Sequence, residues 1–242
     1  EDLDADLAPI EQILRGERAD YTVEKRYVRS DGRMIWALLA VSLVTDADGV
    51  PLHFIAQIQD VSERRELERR LREQAERDHL TGLYNRRRFH EEIDRMLAEA
   101  SRRNSHAGLL AIDLDGFKPI NDEYGHQAGD TVLIRLAEEV GATVRRNEIF
   151  FRVGGDEFAI LAPDADEEEM VGLARRVGGK IADMRFVFGG REVQLTASLG
   201  IALYPTHATS SEEIIARADS AMYQAKLSGK NRWAVFGSAK LH

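Results

Sequence analysis

The sequence predicts a mixed α/β (α+β) domain preceded by a small antiparallel sheet and a linker helix. Three observations carry that prediction. Beyond Asp78, apolar runs of strand type alternate with stretches whose apolar residues recur at helical spacing. Upstream, turn signals at 30–32 and 46–49 set off the runs MIWALLAVSLVT and PLHFIAQIQ. Between these two regions stands RRELERRLREQAER, a segment rich in charges and in strong helix formers.

The elements follow in order. Leu7, Ile10, Ile13 and Leu14 keep helical spacing, and residues 22–58 then read as three strands of a meander. Asp60-Val61-Ser62-Glu63 carries a capping-box signal that opens a helix. Val61, Leu67, Leu71 and Ala75 give that helix a narrow apolar stripe, suited either to pairing with a second copy or to a solvated connector. Further on, a helix is predicted near 86–102, strand LLAID, a helix near 130–144, strand IFFRV, a Gly-Gly turn and strand EFAILA. Next come a helix near 167–182, a short hairpin turning at Gly189-Gly190, strand VQLTASLGIALY, a helix near 211–227 and the closing strand RWAVF. The predicted domains are 1–60, a helical linker over 61–77, and 78–242.

Composition narrows the classes of function. A chain of 242 residues with 43% hydrophobic content can bury a substantial core, and its formal charge of -9 argues against a nucleic-acid surface, which needs a basic stripe. Without cysteine there are no disulfides, zinc thiolates or thiol nucleophiles, and a cytoplasmic setting is expected. No apolar run approaches the roughly 20 residues that span a bilayer, so no membrane contact is expected of this segment. A start at Glu1 rather than Met suits a piece of a longer protein, in which an upstream membrane segment would go unseen.

The chemistry-bearing residues form three groups. Asp113 and Asp115 stand where an apolar strand runs out into a loop, the usual place for ligand contacts in an α/β sheet. Asp156 and Glu157 follow the Gly-Gly turn, where glycine accepts positive φ and leaves room for a nucleotide. Strand residues alternate faces, so one of this second pair can meet Asp113 across neighbouring strands and form a site for a hard cation. Acidic residues in turns are also commonly just solvated. Lys226 and Lys230, four apart near a helix end, either grip a polyphosphate or complement the helix macrodipole.

Six motifs in order resemble the GGDEF family of diguanylate cyclases, over 78–236. They are DHLTGLYNRR (78–87), DLDGFKPIND (113–122), GHQAGD (125–130), RVGGDEF (152–158), TASLGIA (196–202) and AMYQAKLSGKNR (221–232). The resemblance implies a palm-like mixed central sheet flanked by helices, with one GTP per protomer and two protomers meeting in a homodimer. It implies that Asp113, the carbonyl of Leu114 and Asp156 bind Mg²⁺ or Mn²⁺, two per half-site, with Glu157 assisting; the proton acceptor is Asp156 by the resemblance, with Glu157 the open alternative. Asn121 and Asp130 would read guanine, with His126 either nearby or an ordinary loop histidine, and Lys226 and Lys230 would hold phosphates. Asp130 suits that task because a carboxylate accepts from guanine N1–H and the exocyclic amine. Lys118 reaches a phosphate or lies along the surface, and Phe117 is expected in the core.

Many relatives carry an inhibitory Arg-x-x-Asp site for the product, cyclic di-GMP. Here the aligned run is Arg145-Arg146-Asn147-Glu148, one methylene longer at the acid, which implies weakened feedback. Arg176 is either a secondary contact from the neighbouring protomer or part of a charged helix face. The first sixty residues resemble, more loosely, the C-terminal part of a PAS sensory domain of unknown ligand, leading into a signalling helix. Two rivals stay open: a catalytically silent binding and dimerisation module that keeps the fold, and a mononucleotide cyclase using the same carboxylates.

Overall fold

The computed structural model describes residues 4–238, and the side chains of residues 4–8 and 71–74 lie outside that description, so Leu7 and Leu71 are not placed. The chain divides into two compact units, Glu1–Glu73 and Gln74–His242. In the first, α1 (Asp4–Leu14) precedes the antiparallel meander β1 (Asp20–Val28), β2 (Met34–Thr45) and β3 (Pro51–Asp60). Ile13, Tyr21, Leu39 and Val41 form its small core. β3 is an edge strand, exposed along its whole length.

The helix α2 (Ser62–Glu76) starts as the sequence predicts, but not through a capping box. Asp60 accepts from the Ser62 N–H at 2.9 Å, and the Ser62 hydroxyl accepts from Trp36 N–H. The short Asp side chain closes on the residue two ahead instead of reaching Glu63. Leu67 and Ala75 are exposed on this helix.

The second unit is built on a five-stranded sheet of order β10-β9-β4-β6-β5. Its strands are β4 (Ala107–Asp115), β5 (Ile149–Gly154), β6 (Glu157–Pro163), β9 (Thr196–Tyr204) and β10 (Arg232–Val235). Only the β9–β10 pair is parallel. β4 is central and buried on both faces, which explains its unbroken apolar run. One face packs on α4 (Phe117–Tyr124), α5 (His126–Gly141) and α6 (Glu167–Asp183), the other on α3 (Arg86–Arg103) and α7 (Ser211–Leu227). Each fully buried Leu or Ile there contributes about 1.5–3 kcal/mol. Local signals agree: Asn85 caps α3 by accepting from Arg88 N–H, and Asp166 with Glu169 forms a true capping box on α6.

Four expectations are corrected. The helix α4 was not foreseen, because Gly116, Pro119 and Gly125 read as loop; Pro119 sits in its first turn, where no intrahelical donor is needed. The next helix starts at His126, not near 130, so His126 and Asp130 lie one helical turn apart. The run VQLTASLGIALY is split between β8 (Arg191–Val193), which pairs with β7 (Phe186–Phe188), and β9. The β5–β6 hairpin turns at Gly155-Asp156, not at Gly154-Gly155; Gly154 pairs with Glu157 after a register shift, and neither glycine has positive φ.

Candidate active site

The antiparallel register of β4 and β6 sets Asp113 opposite Glu157. Asp156, at the turn, returns its carbonyl to the Leu114 N–H at 3.3 Å, which ties the hairpin tip to the strand that carries Asp113. On the other side of β4, Asp113 faces Ser198 of β9. Lys226, one residue from the end of α7, places its Nζ 2.7 Å from Asp113 Oδ2. The Leu114 side chain is buried, so only its main chain can serve a ligand.

The electrostatics follow from that crowding. Burial pushes the Asp113 carboxyl above its ordinary range; the Lys226 ammonium opposes the rise, and the charges of Asp156 and Glu157 add to it. Among the described residues no three acidic or histidine side chains close on one point as a complete metal cage. The carboxylates of Asp113, Asp156 and Glu157 are hard oxygen donors, chemistry that fits a divalent cation drawing the rest of its shell from water and phosphate. Lys226 supplies the positive charge beside Asp113.

The hairpin is braced from the start of the unit. Arg152 donates to Asp78 Oδ1 at 2.9 Å and to the Gly155 carbonyl at 2.8 and 3.1 Å. Asp78 also accepts from the Thr81 hydroxyl and N–H. Sequence reasoning gave neither Asp78 nor Arg152 a role, since 74 residues separate them and no local pattern signals the pair.

Asn121 lies on α4 and Asp130 on α5, and where those helices touch, Asn121 packs against Gly129, the residue before Asp130. The approach depends on Gly129. A Cβ there would stand 2.0 Å from Asn121 Oδ1 and 3.1 Å from Phe117 Cζ, so only glycine leaves the amide its position. This residue too was missed, though a glycine inside a helical pattern signals close packing. Gly125, with φ 83 and ψ 165, sits between the helices in a conformation open essentially to glycine alone. Asp130 and His126 are exposed, and Asn121 is half-buried.

A cavity of about 380 Å³ lies between α3, α7 and the sheet, walled in part by Glu157, Lys226, Arg86, His90 and Asp219. Asn121, His126 and Asp130 are not among its walls. Burial pushes the Asp219 carboxyl up, against the pull of Lys226.

Away from this edge, the Glu148 carboxylate accepts from Arg145 N–H at 2.7 Å and pairs with Arg176 at 2.9 Å. Arg176 is thus engaged within its own chain. Lys230 stands in a turn after α7, with φ 62.

The family model described as diguanylate cyclase, GGDEF domain, matches residues 75–232. The probable diguanylate cyclase DgcE of Escherichia coli is 34% identical over 197 residues, covering 81% of this chain and 18% of DgcE. Cyclic di-GMP phosphodiesterase PdeR of the same organism is 37% identical over 177 residues, covering 73% of this chain and 26% of PdeR. The chain thus spans about a quarter or less of the length of these two relatives. Among solved structures, the coiled coil and GGDEF domain of DgcB from Caulobacter crescentus, in complex with c-di-GMP, superposes with a TM-score of 0.68 at 30% identity, over 72% of this chain and 93% of that one.

Proposed function

The chain belongs to the GGDEF family of diguanylate cyclase domains, and we propose that it condenses two GTP molecules into cyclic di-GMP and two pyrophosphates. The observation that carries this reading is the meeting of Asp113, Glu157 and Lys226 at one end of the sheet, set by strand register and by the end of α7. A silent module has no need to hold Asp113 opposite Glu157 with the Lys226 ammonium on Asp113. Because relatives named as phosphodiesterases match as well as those named as cyclases, likeness alone does not choose between an active and a silent domain.

In the proposed reaction, each ribose 3′ hydroxyl attacks the α-phosphorus of the other GTP. The new P–O bond forms as the bond to pyrophosphate breaks, and the hydroxyl proton passes to the Asp156 carboxylate. Asp113, the Leu114 carbonyl and Asp156, with Glu157 assisting, would hold divalent cations, two per half-site. When bound, such ions supply Lewis acidity and neutralise phosphate charge. Asn121 and Asp130 orient guanine, with His126 beside them at the start of α5. Lys226 and Lys230 hold the phosphates; Lys226 exchanges Asp113 for a phosphate when nucleotide enters. One chain carries one such half-site, so a homodimer completes the reaction.

The upstream unit is proposed as part of a PAS sensory module acting through α2, whose exposed Leu67 and Ala75 suit contact with a second copy. No described helix is long and apolar enough to cross a membrane; a cytoplasmic site of action is proposed. At Glu148 we propose weakened product feedback, since its carboxylate is already held by Arg145 N–H and Arg176.

The test is purified chain with GTP and Mg²⁺, with products separated by mass over a range of protein concentrations. Cyclic di-GMP is expected in the wild type and absent in Asp156→Ala that retains its circular dichroism. No cyclic di-GMP at any concentration that includes dimer, from a chain that binds GTP, would establish the silent module instead.

A further inference from the structure

Asp115 is an acidic residue at this edge to which the proposed reaction gives no task. It ends β4 and faces Thr196 of β9 in the register. Its carboxylate accepts three hydrogen bonds: from Thr196 Oγ1 at 2.9 Å, Ser198 Oγ at 2.8 Å and the backbone N–H of Asn231 at 3.1 Å. The first two come from the adjacent strand and fix the plane of the carboxylate. The third reaches the turn after α7, 116 residues away in sequence.

That turn is backbone of an uncommon kind. Gly229, Lys230 and Asn231 have φ of 116, 62 and 48, so two consecutive non-glycine residues occupy the left-handed region. Such residues persist where their surroundings hold them. Here three contacts do so: Lys230 N–H donates to the Ala225 carbonyl at 3.1 Å, Arg232 Nε donates to the Lys230 carbonyl at 3.0 Å, and Asn231 N–H donates to Asp115. Of these, only Asp115 anchors the turn to the strand that carries Asp113.

We propose that Asp115 is a positioning residue that, through Asn231 N–H, holds the 229–231 turn so that Lys230 meets the nucleotide phosphates. This rests on the proposed function, in which Lys230 is a phosphate contact. The energetic consequence falls on the triphosphate and not on the base, because Asn121 and Asp130 lie on other helices.

The experiment measures binding of an unreactive GTP analogue with a methylene between the α- and β-phosphates, and of guanosine, to the full chain with Mg²⁺. Asp115→Ala is expected to weaken the analogue about tenfold and to leave guanosine unchanged. Asp115→Asn, whose amide oxygen still accepts from Asn231, is expected to stay within about twofold of wild type. Thr196→Val removes a strand hydrogen bond but not the one from Asn231, so it lowers thermal stability without weakening the analogue. Combining Asp115→Ala with Lys230→Met should bind the analogue no more weakly than Lys230→Met alone. Should Asp115→Ala fail to fold, Asp115→Ser, still polar but too short to reach Asn231, replaces it. Equal weakening of analogue and guanosine, or additive effects with Lys230→Met, would reduce Asp115 to a structural staple and overturn the proposal. A wild type that binds neither ligand would instead fail the GTP reading itself, and this inference with it.

Discussion

Single atoms decide how the α4–α5 contact, the proposed base pocket, is formed. The methyl group of Gly129→Ala would overlap Asn121 Oδ1, so the amide must swing away or α4 must shift from α5. Overpacking of this kind costs about 1–3 kcal/mol of stability. Because the displaced group is the proposed guanine reader, GTP affinity should fall by about tenfold or more, measured against the thermal midpoint of the same variant; unchanged affinity would separate Asn121 from base recognition. The Asp78–Arg152 pair makes a second prediction. Burial raises the Asp78 carboxyl, but hydrogen bonds from Thr81 and Arg152 outweigh it and hold the group below its ordinary 3.8. A lowered folded-state value means the unfolded chain binds more protons, so this stabilisation is present above about 3.8 and fades as pH falls through the folded value. In urea unfolding, the stability difference between wild type and Asp78→Asn should therefore be largest at neutral pH and shrink towards pH 3; a constant difference would refute the assignment. None of these partnerships shows in spacing. Asp78 and Arg152 stand 74 residues apart, and only the closed fold makes them neighbours.

At the scale of elements, the site depends on how tightly α7 rests on β9. Gly200 has no room for a side chain: a Cβ would come 2.1 Å from the Ala218 carbonyl and 2.4 Å from Met222 N. Gly200→Ala should therefore destabilise the unit by about 1–3 kcal/mol or more and lift the helix that carries Lys226 away from Asp113. Chemical denaturation would read the first effect, and a rise in KM for GTP the second. Most elements were legible in the sequence, because apolar alternation and capping residues are local signals. The misses have local causes too. The short α4 hides among residues that normally break helices, and the hairpin turn shifts by one residue because the register slip between Arg152 and Gly154 arises from pairing with β6.

For the whole molecule, the proposed reaction needs two half-sites, so cyclic di-GMP formed per chain should rise with chain concentration and level off once dimer dominates. Strict proportionality between rate and chain concentration from the lowest range upward would argue for a site complete in one chain. Glu148→Asp, by withdrawing the carboxylate about one bond length, should loosen its hold on Arg176 and increase inhibition by cyclic di-GMP. Arg145→Ala should abolish any inhibition that remains; strong feedback in the unaltered chain would contradict the reading. By itself the sequence determined the family, the mixed α/β class and the identity of the acidic, amide and cationic residues, since motifs and periodicity are written in residues close along the chain. The tertiary structure decided which of them meet. It set Asp113 opposite Glu157, brought Lys226 onto Asp113, made room at Gly129 for Asn121 and turned Glu148 towards Arg176. Those are long-range contacts, fixed by strand register and helix packing, and no local pattern encodes them.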